Sequence, residues 1–123
     1  MIPQRLRTSN WSRDQLQFIR RKVGLAPNIL ARIAFLLSVQ ELSTIRKELA
    51  DTSGLEFNAP TLFGEHQKAY ELLLAKYIQV TQDQRDPSLL IAMHIETGLQ
   101  KMGHLRNLQD VVQFTLGKGQ AAA

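Results

Sequence analysis

The stretch GLAPNILARIAFLLSV, residues 24–39, limits what this chain can fold into more than any other. It opens as a helix does, with Pro27 suited to the first helical position, where a missing N–H costs nothing. It then stays apolar on every side. On a wheel of about 100° per residue, Ile29, Leu30, Ile33, Leu36 and Leu37 cover one side and Phe35 and Val39 another, while Ala31 and Ala34 fill the gaps. Arg32 is the only charge between Pro27 and Gln40. A helix apolar all round must be buried all round. Two arrangements do that: a central helix enclosed by the rest of the monomer, or a helix shared between the rest of the chain and a second copy. The second is preferred, because small domains rarely enclose a helix completely.

The flanking segments read as mostly helical, with a short β element at the start. In IPQRLRT, residues 2–8, Ile2, Gln4, Leu6 and Thr8 fall on one side of an extended strand and Arg5 and Arg7 on the other. Pro3 restricts that strand to an edge or a start. Ser12, with Gln15 three residues on, has the spacing of a capping box. Leu16, Ile19 and Val23 then form an apolar stripe, and Gly24 suits the position that ends a helix. Phe18, Arg21 and Lys22 point away from the stripe. Helix, glycine turn and helix make an αα unit of the kind found in helix-turn-helix and ribbon-helix-helix proteins. LEFNAPTLFG, residues 55–64, reads as a short strand or an extended arm. Tyr70, Leu73, Leu74, Tyr77 and Ile78 mark an amphipathic helix whose aromatics read as core. Asp86 at the N-cap and Pro87 after it open another, with Leu89, Leu90, Met93 and Thr97 inward. Gly98 in that pattern points to a close backbone approach or a local break. A last short helix is expected in NLQDVVQFTLG. One domain over residues 1–120 is expected, with Ala121–Ala123 a possible cloning scar.

Little in the chain points to catalysis. It has no cysteine, which removes disulfides, thiolate metal sites, iron–sulfur ligation and a cysteine nucleophile. The histidines, His66, His94 and His104, show no metal-site spacing, and no HExxH, GxSxG, Walker loop or GxGxxG occurs. His94 reads as a packed, hydrogen-bonded core histidine rather than a catalytic base. No enzyme activity, cofactor or metal is expected. No apolar run is long enough to span a membrane, and residues 1–10 lack the apolar stretch of a secretory signal; a cytoplasmic protein is expected.

Charge is uneven. Residues 1–47 hold nine Lys or Arg and two acids, a surplus of seven, whereas residues 48–123 hold six against nine. A basic first third on an acidic remainder suits a polyanion, or is simply a solvated basic surface.

Three blocks, GLAPNILAR, LEFNAPTLFGE and MHIETG, span residues 24–98. In order and content they resemble the DndE family of DNA sulfur-modification proteins, and the middle block is the most specific. Where that pattern has threonine before the proline and cysteine after the leucine, this chain has Ala26 and Ala31. The resemblance implies a ribbon-helix-helix-like, tetrameric protein that binds nicked duplex DNA and works with other Dnd proteins in DNA phosphorothioation, as an accessory and not the sulfur carrier. The residues themselves agree on three points: a chain without thiols carries no persulfide, the over-apolar helix asks for a subunit interface, and the basic third supplies phosphate contacts. A nick exposes phosphates and eases bending, so a reader of charge and shape suits it. The expected DNA ligands are Arg5, Arg7, Arg20, Arg21 and Lys22. Three other readings stay open: a sequence-specific repressor using Gln4, Arg5 and Arg7 in the major groove, an assembly adaptor for the sulfur-transfer complex, and an enzyme built around His94.

Overall fold

The computed structural model describes residues 2–103. The expected helix in NLQDVVQFTLG, His104 and Ala121–Ala123 lie outside the described residues. In chain order the elements are β1 (Arg5–Arg7), α1 (Asn10–Val23), α2 (Pro27–Val39), β2 (Glu56–Asn58), α3 (Ala59–Phe63), a 3-10 turn (Gly64–His66), α4 (Gln67–Thr81) and α5 (Pro87–Lys101). The fold is therefore mainly α with a short N-terminal β element. Its opening β1-α1-α2 order is that of a ribbon-helix-helix unit, with the ribbon completed inside the chain. β1 pairs antiparallel with β2, Leu6 opposite Phe57 and Arg7 opposite Glu56. No single helix among the described residues is long and apolar enough to cross a membrane.

α1 ends as its sequence requires. Gly24 takes φ 79° and its N–H returns to the Arg20 carbonyl, a conformation that costs glycine least. α2 restarts at Pro27, bent by 110° from α1. Its N-cap, Ala26, supplies no side-chain hydrogen bond, and Pro27 compensates by removing one N–H that would need a partner. The start of α1 differs from the expectation. The N-cap is Ser9, not Ser12: the Ser9 side chain accepts the Ser12 N–H, and helix begins at Asn10. Gln4 also departs from the alternation and is exposed; its carbonyl takes the Ala59 N–H at 2.9 Å.

The core is built around α2 and α5. Leu30, Ala31, Ala34, Phe35 and Val39 of α2 are fully buried within one chain. Ile29 stays exposed at its edge, and Ile33 and Leu36 are half-buried. The most enclosed helix is α5, buried continuously from Leu90 to Glu96 and again at Gly98 and Leu99. Leu89 and Thr97, expected inward, are half-buried. Gly98 is the close approach: a Cβ there would lie 1.9 Å from the Ala34 carbonyl oxygen.

The segment expected as a strand or an arm is both a strand and a helix. Glu56–Asn58 pairs with β1, and Asn58 then caps α3 by accepting the Thr61 N–H. This helix is too short to show a periodicity, and only the Asn-x-Pro opening marks it. Phe63 at its end stacks on Tyr70 at 4.8 Å and meets Phe35 edge-on at 5.4 Å.

Candidate nucleic-acid interface

The alternation of RLR sets the first pair of cations. Leu6 is buried against the core, so Arg5 and Arg7 face solvent. Pairing with β2 holds the strand, and the Thr8 backbone extends the pairing to Gly54 and Leu55. No side chain fits at Gly54, where a Cβ would sit 2.2 Å from the Ser9 carbonyl oxygen. Arg7 donates to the Gly54 carbonyl at 3.5 Å and lies 3.9 Å from the Glu56 carboxylate. Both arginines border a concavity of about 300 Å³ that Ser88 and Leu89, at the start of α5, also line.

Arg20, Arg21 and Lys22 occupy the last turn of α1, all exposed. Cations there also complement the negative end of the helix dipole. Lys22 Nζ rests 4.3 Å from the Phe18 ring centroid, a cation–π contact with an aromatic that is 44% exposed. The five expected DNA ligands are not one cluster. Arg5 and Arg7 lie beside the start of α1 and the other three at its end, about 15 Å along the axis. Three consecutive helical residues also fan round the axis, so these cations offer edges rather than a flat patch.

Two buried polar groups support the scaffold. Glu96, whose place in the sequence shows only that it faces away from His94, is 7% exposed and accepts from the hydroxyls of Ser9 and Ser12. It ties the start of α1 to the middle of α5. The clue in the sequence was the pair of serines three apart, each bearing a spare hydroxyl donor.

His94 is completely buried. Its Nδ1 shares a hydrogen bond with Ser38 Oγ at 2.8 Å, and its ring meets Tyr77 edge-on at 4.4 Å. Nε2 has no partner among the described residues. Burial pushes the imidazole down to about 4, with the charge of Asp83 opposing the shift. This is the packed histidine expected from its apolar setting. No group of three or more His, Cys, Asp or Glu able to hold a metal occurs among the described residues.

The family model for the DNA sulphur modification protein DndE matches residues 5–110. That match spans both cationic groups and the core just described. The chain belongs to the DndE family. The crystal structure of DndE from Escherichia coli B7A, involved in DNA phosphorothioation modification, is similar at 32% identity and a TM-score of 0.68, covering 83% of this chain and 98% of that one. A DndE G21/24K mutant involved in DNA phosphorothioation is similar at 28% identity and the same TM-score, covering 83% and 99%. No curated protein matches the chain.

In DndE terms, the three sequence blocks are mostly scaffold. Arg32 of the first donates to the carbonyls of Leu62 and Thr61 in the second, at 2.7 and 3.3 Å, and Asn28 also reaches Thr61. These donors satisfy carbonyls that α3 is too short to bond internally. The third block contributes Gly98 to the contact with Ala34. The exposed cations of β1 and of the end of α1 lie outside all three.

Proposed function

We propose that this protein is a non-catalytic, DNA-binding accessory subunit of DNA phosphorothioation, acting as an oligomer, a tetramer by analogy with the family, on nicked duplex DNA in the cytoplasm with other Dnd proteins. The observation that carries the reading is the set of five exposed cations at the two ends of α1, in a chain of the DndE family. Arg5 and Arg7 present guanidinium forks, suited to bidentate phosphate contact. Separation of the two groups along α1 spreads the contacts over several phosphates.

The test is a binding titration with nicked, intact and single-stranded DNA at several salt concentrations, with the particle mass measured in the same buffers. Each phosphate neutralised contributes a slope of about −0.9 in log K against log salt. Replacing Arg5 and Arg7, or Arg20, Arg21 and Lys22, by glutamine is expected to weaken binding at least tenfold. The slope should flatten by roughly one unit for each phosphate no longer neutralised. A salt-independent interaction, or equal affinity for nicked and intact duplex, contradicts the corresponding part.

One observation favours the adaptor reading. Leu72 on α4 is 71% exposed and Val80, two turns on, 53%, an apolar surface unrelated to phosphate. Full modification activity in the glutamine variants would select that reading.

A further inference from the structure

Residues 40–55 connect α2 to β2 without helix or strand, yet Ile45, well before the end that pairs with β1, is pinned through both of its backbone groups. The Ile45 N–H donates to the Tyr77 hydroxyl at 3.2 Å, and the Ile45 carbonyl accepts from Arg85 Nη2 at 2.6 Å. The Tyr77 hydroxyl donates to Asp83 at 2.8 Å, and Arg85 grips the same carboxylate through Nε and Nη2 at 2.9 and 2.7 Å. The guanidinium holds the Asp83 carboxyl well below the usual carboxylate range, so the ion pair persists at neutral pH. A buried ion pair contributes little net stability, because desolvation offsets its attraction. This one fixes a loop residue 40 positions away in sequence.

The consequence is a shaped surface. With Ile45 turned inward, 8% exposed, its neighbours Ser43, Thr44, Arg46 and Lys47 all face solvent. They line a groove of about 290 Å³ that Thr97 and Gln100 of α5 also border. The acid among the lining residues, Glu41, is paired with Lys101. Two hydroxyls, a guanidinium and an ammonium on a short pinned segment form a donor set for a tetrahedral oxyanion. Arg46 and Lys47 outweigh the partial negative charge at the end of α2, a fraction of an elementary charge.

We propose that residues 43–47 form a phosphate-binding loop whose ligand is a phosphodiester of the DNA backbone. The DNA part of this assignment rests on the function proposed above. The loop is separate from the β1 arginines. Ser88, beside those arginines, and Gln100, in this groove, lie twelve residues apart on α5, about 18 Å along the helix.

Two measurements separate the loop from the wider reading. The first is an amide NMR titration of the full chain with the dinucleotide thymidylyl-thymidine, against sodium chloride at equal ionic strength. Shifts at residues 43–47 that are abolished by R46Q/K47Q are expected, whether or not Arg5, Arg7, Arg20, Arg21 and Lys22 also respond; no shift at residues 43–47, or one there that survives the double variant, overturns the loop. The second is the salt dependence of nicked-duplex binding by R46Q/K47Q, both side chains being exposed and outside the core. A five- to tenfold reduction in affinity at low salt and a shallower slope are expected; an unchanged slope overturns use of the loop on DNA. Failure of the unaltered protein to bind any duplex would defeat the proposed function, while the dinucleotide titration would still decide the loop.

Discussion

His94 stands uncharged among Phe35, Tyr77 and Ser38, and its environment makes stability depend on pH. The charged groups that bear on it are Asp83, which favours the protonated ring, and Arg85 and Lys101, which oppose it. Burial is the largest influence and lowers the imidazole from 6.5 to about 4. The unfolded chain therefore binds a proton that the folded chain refuses between those two values. Stability from this group is complete above pH 6.5 and falls away as pH drops towards 4. A shift of this size corresponds to at most about 3 kcal/mol. Urea unfolding at pH 7.5 and at pH 4.5 is expected to show the decline, and His94→Gln to flatten it while lowering stability at pH 7.5. An equal decline in the two proteins would place the pH dependence elsewhere. The burial of His94 was legible in the sequence, because it falls within an apolar helical run. Its pairing with Ser38 was not, since the two residues are 56 positions apart.

Where helices start and stop was written locally, and the exceptions show what local patterns lack. Gly24, Pro27, Asp86 and Pro87 act within one turn of themselves, so spacing alone located the ends they mark. Ser9 and Ser12 compete for the same task at the start of α1, and nothing nearby in sequence separates them. Glu96 of α5 accepts from both hydroxyls, and Asp51 accepts the Asn10 N–H, so the helix begins after Ser9. The contact between α2 and α5 is a second case. Gly98 marked a close approach, but only the fold names its partner as the Ala34 backbone. Gly98→Ala would press a methyl group into a carbonyl oxygen and force the two central helices apart. The expected cost is about 3 kcal/mol, read as a lower midpoint in urea, against less than about 1 kcal/mol for Gly103→Ala, where a Cβ meets only the Gln100 carbonyl oxygen at 3.7 Å. Equal midpoints for the two variants would mean that α2 and α5 can separate freely.

For the molecule as a whole, the apolar excess of α2 is resolved mostly inside one chain. α5, α3 and α1 cover most of it, leaving the stripe of Ile29, Ile33 and Leu36 at positions i, i+4 and i+7. That stripe is the surface on which oligomerisation through α2 would depend. Ile29→Glu with Leu36→Gln is expected to reduce the particle mass to that of one protomer while leaving the helical circular dichroism unchanged. An unaltered mass would exclude this stripe as the interface. The helical class, the short basic strand, the limits of the main helices and the family were all legible along the chain, because they depend on residue types within short stretches. The choice of serine that caps α1, the enclosure of α5, the division of the five expected DNA ligands into two groups and the pinning of Ile45 to display Arg46 and Lys47 emerged only on folding. Those outcomes depend on hydrogen bonds and packing between residues as far as 87 positions apart, and hydrophobic periodicity carries no information at that range.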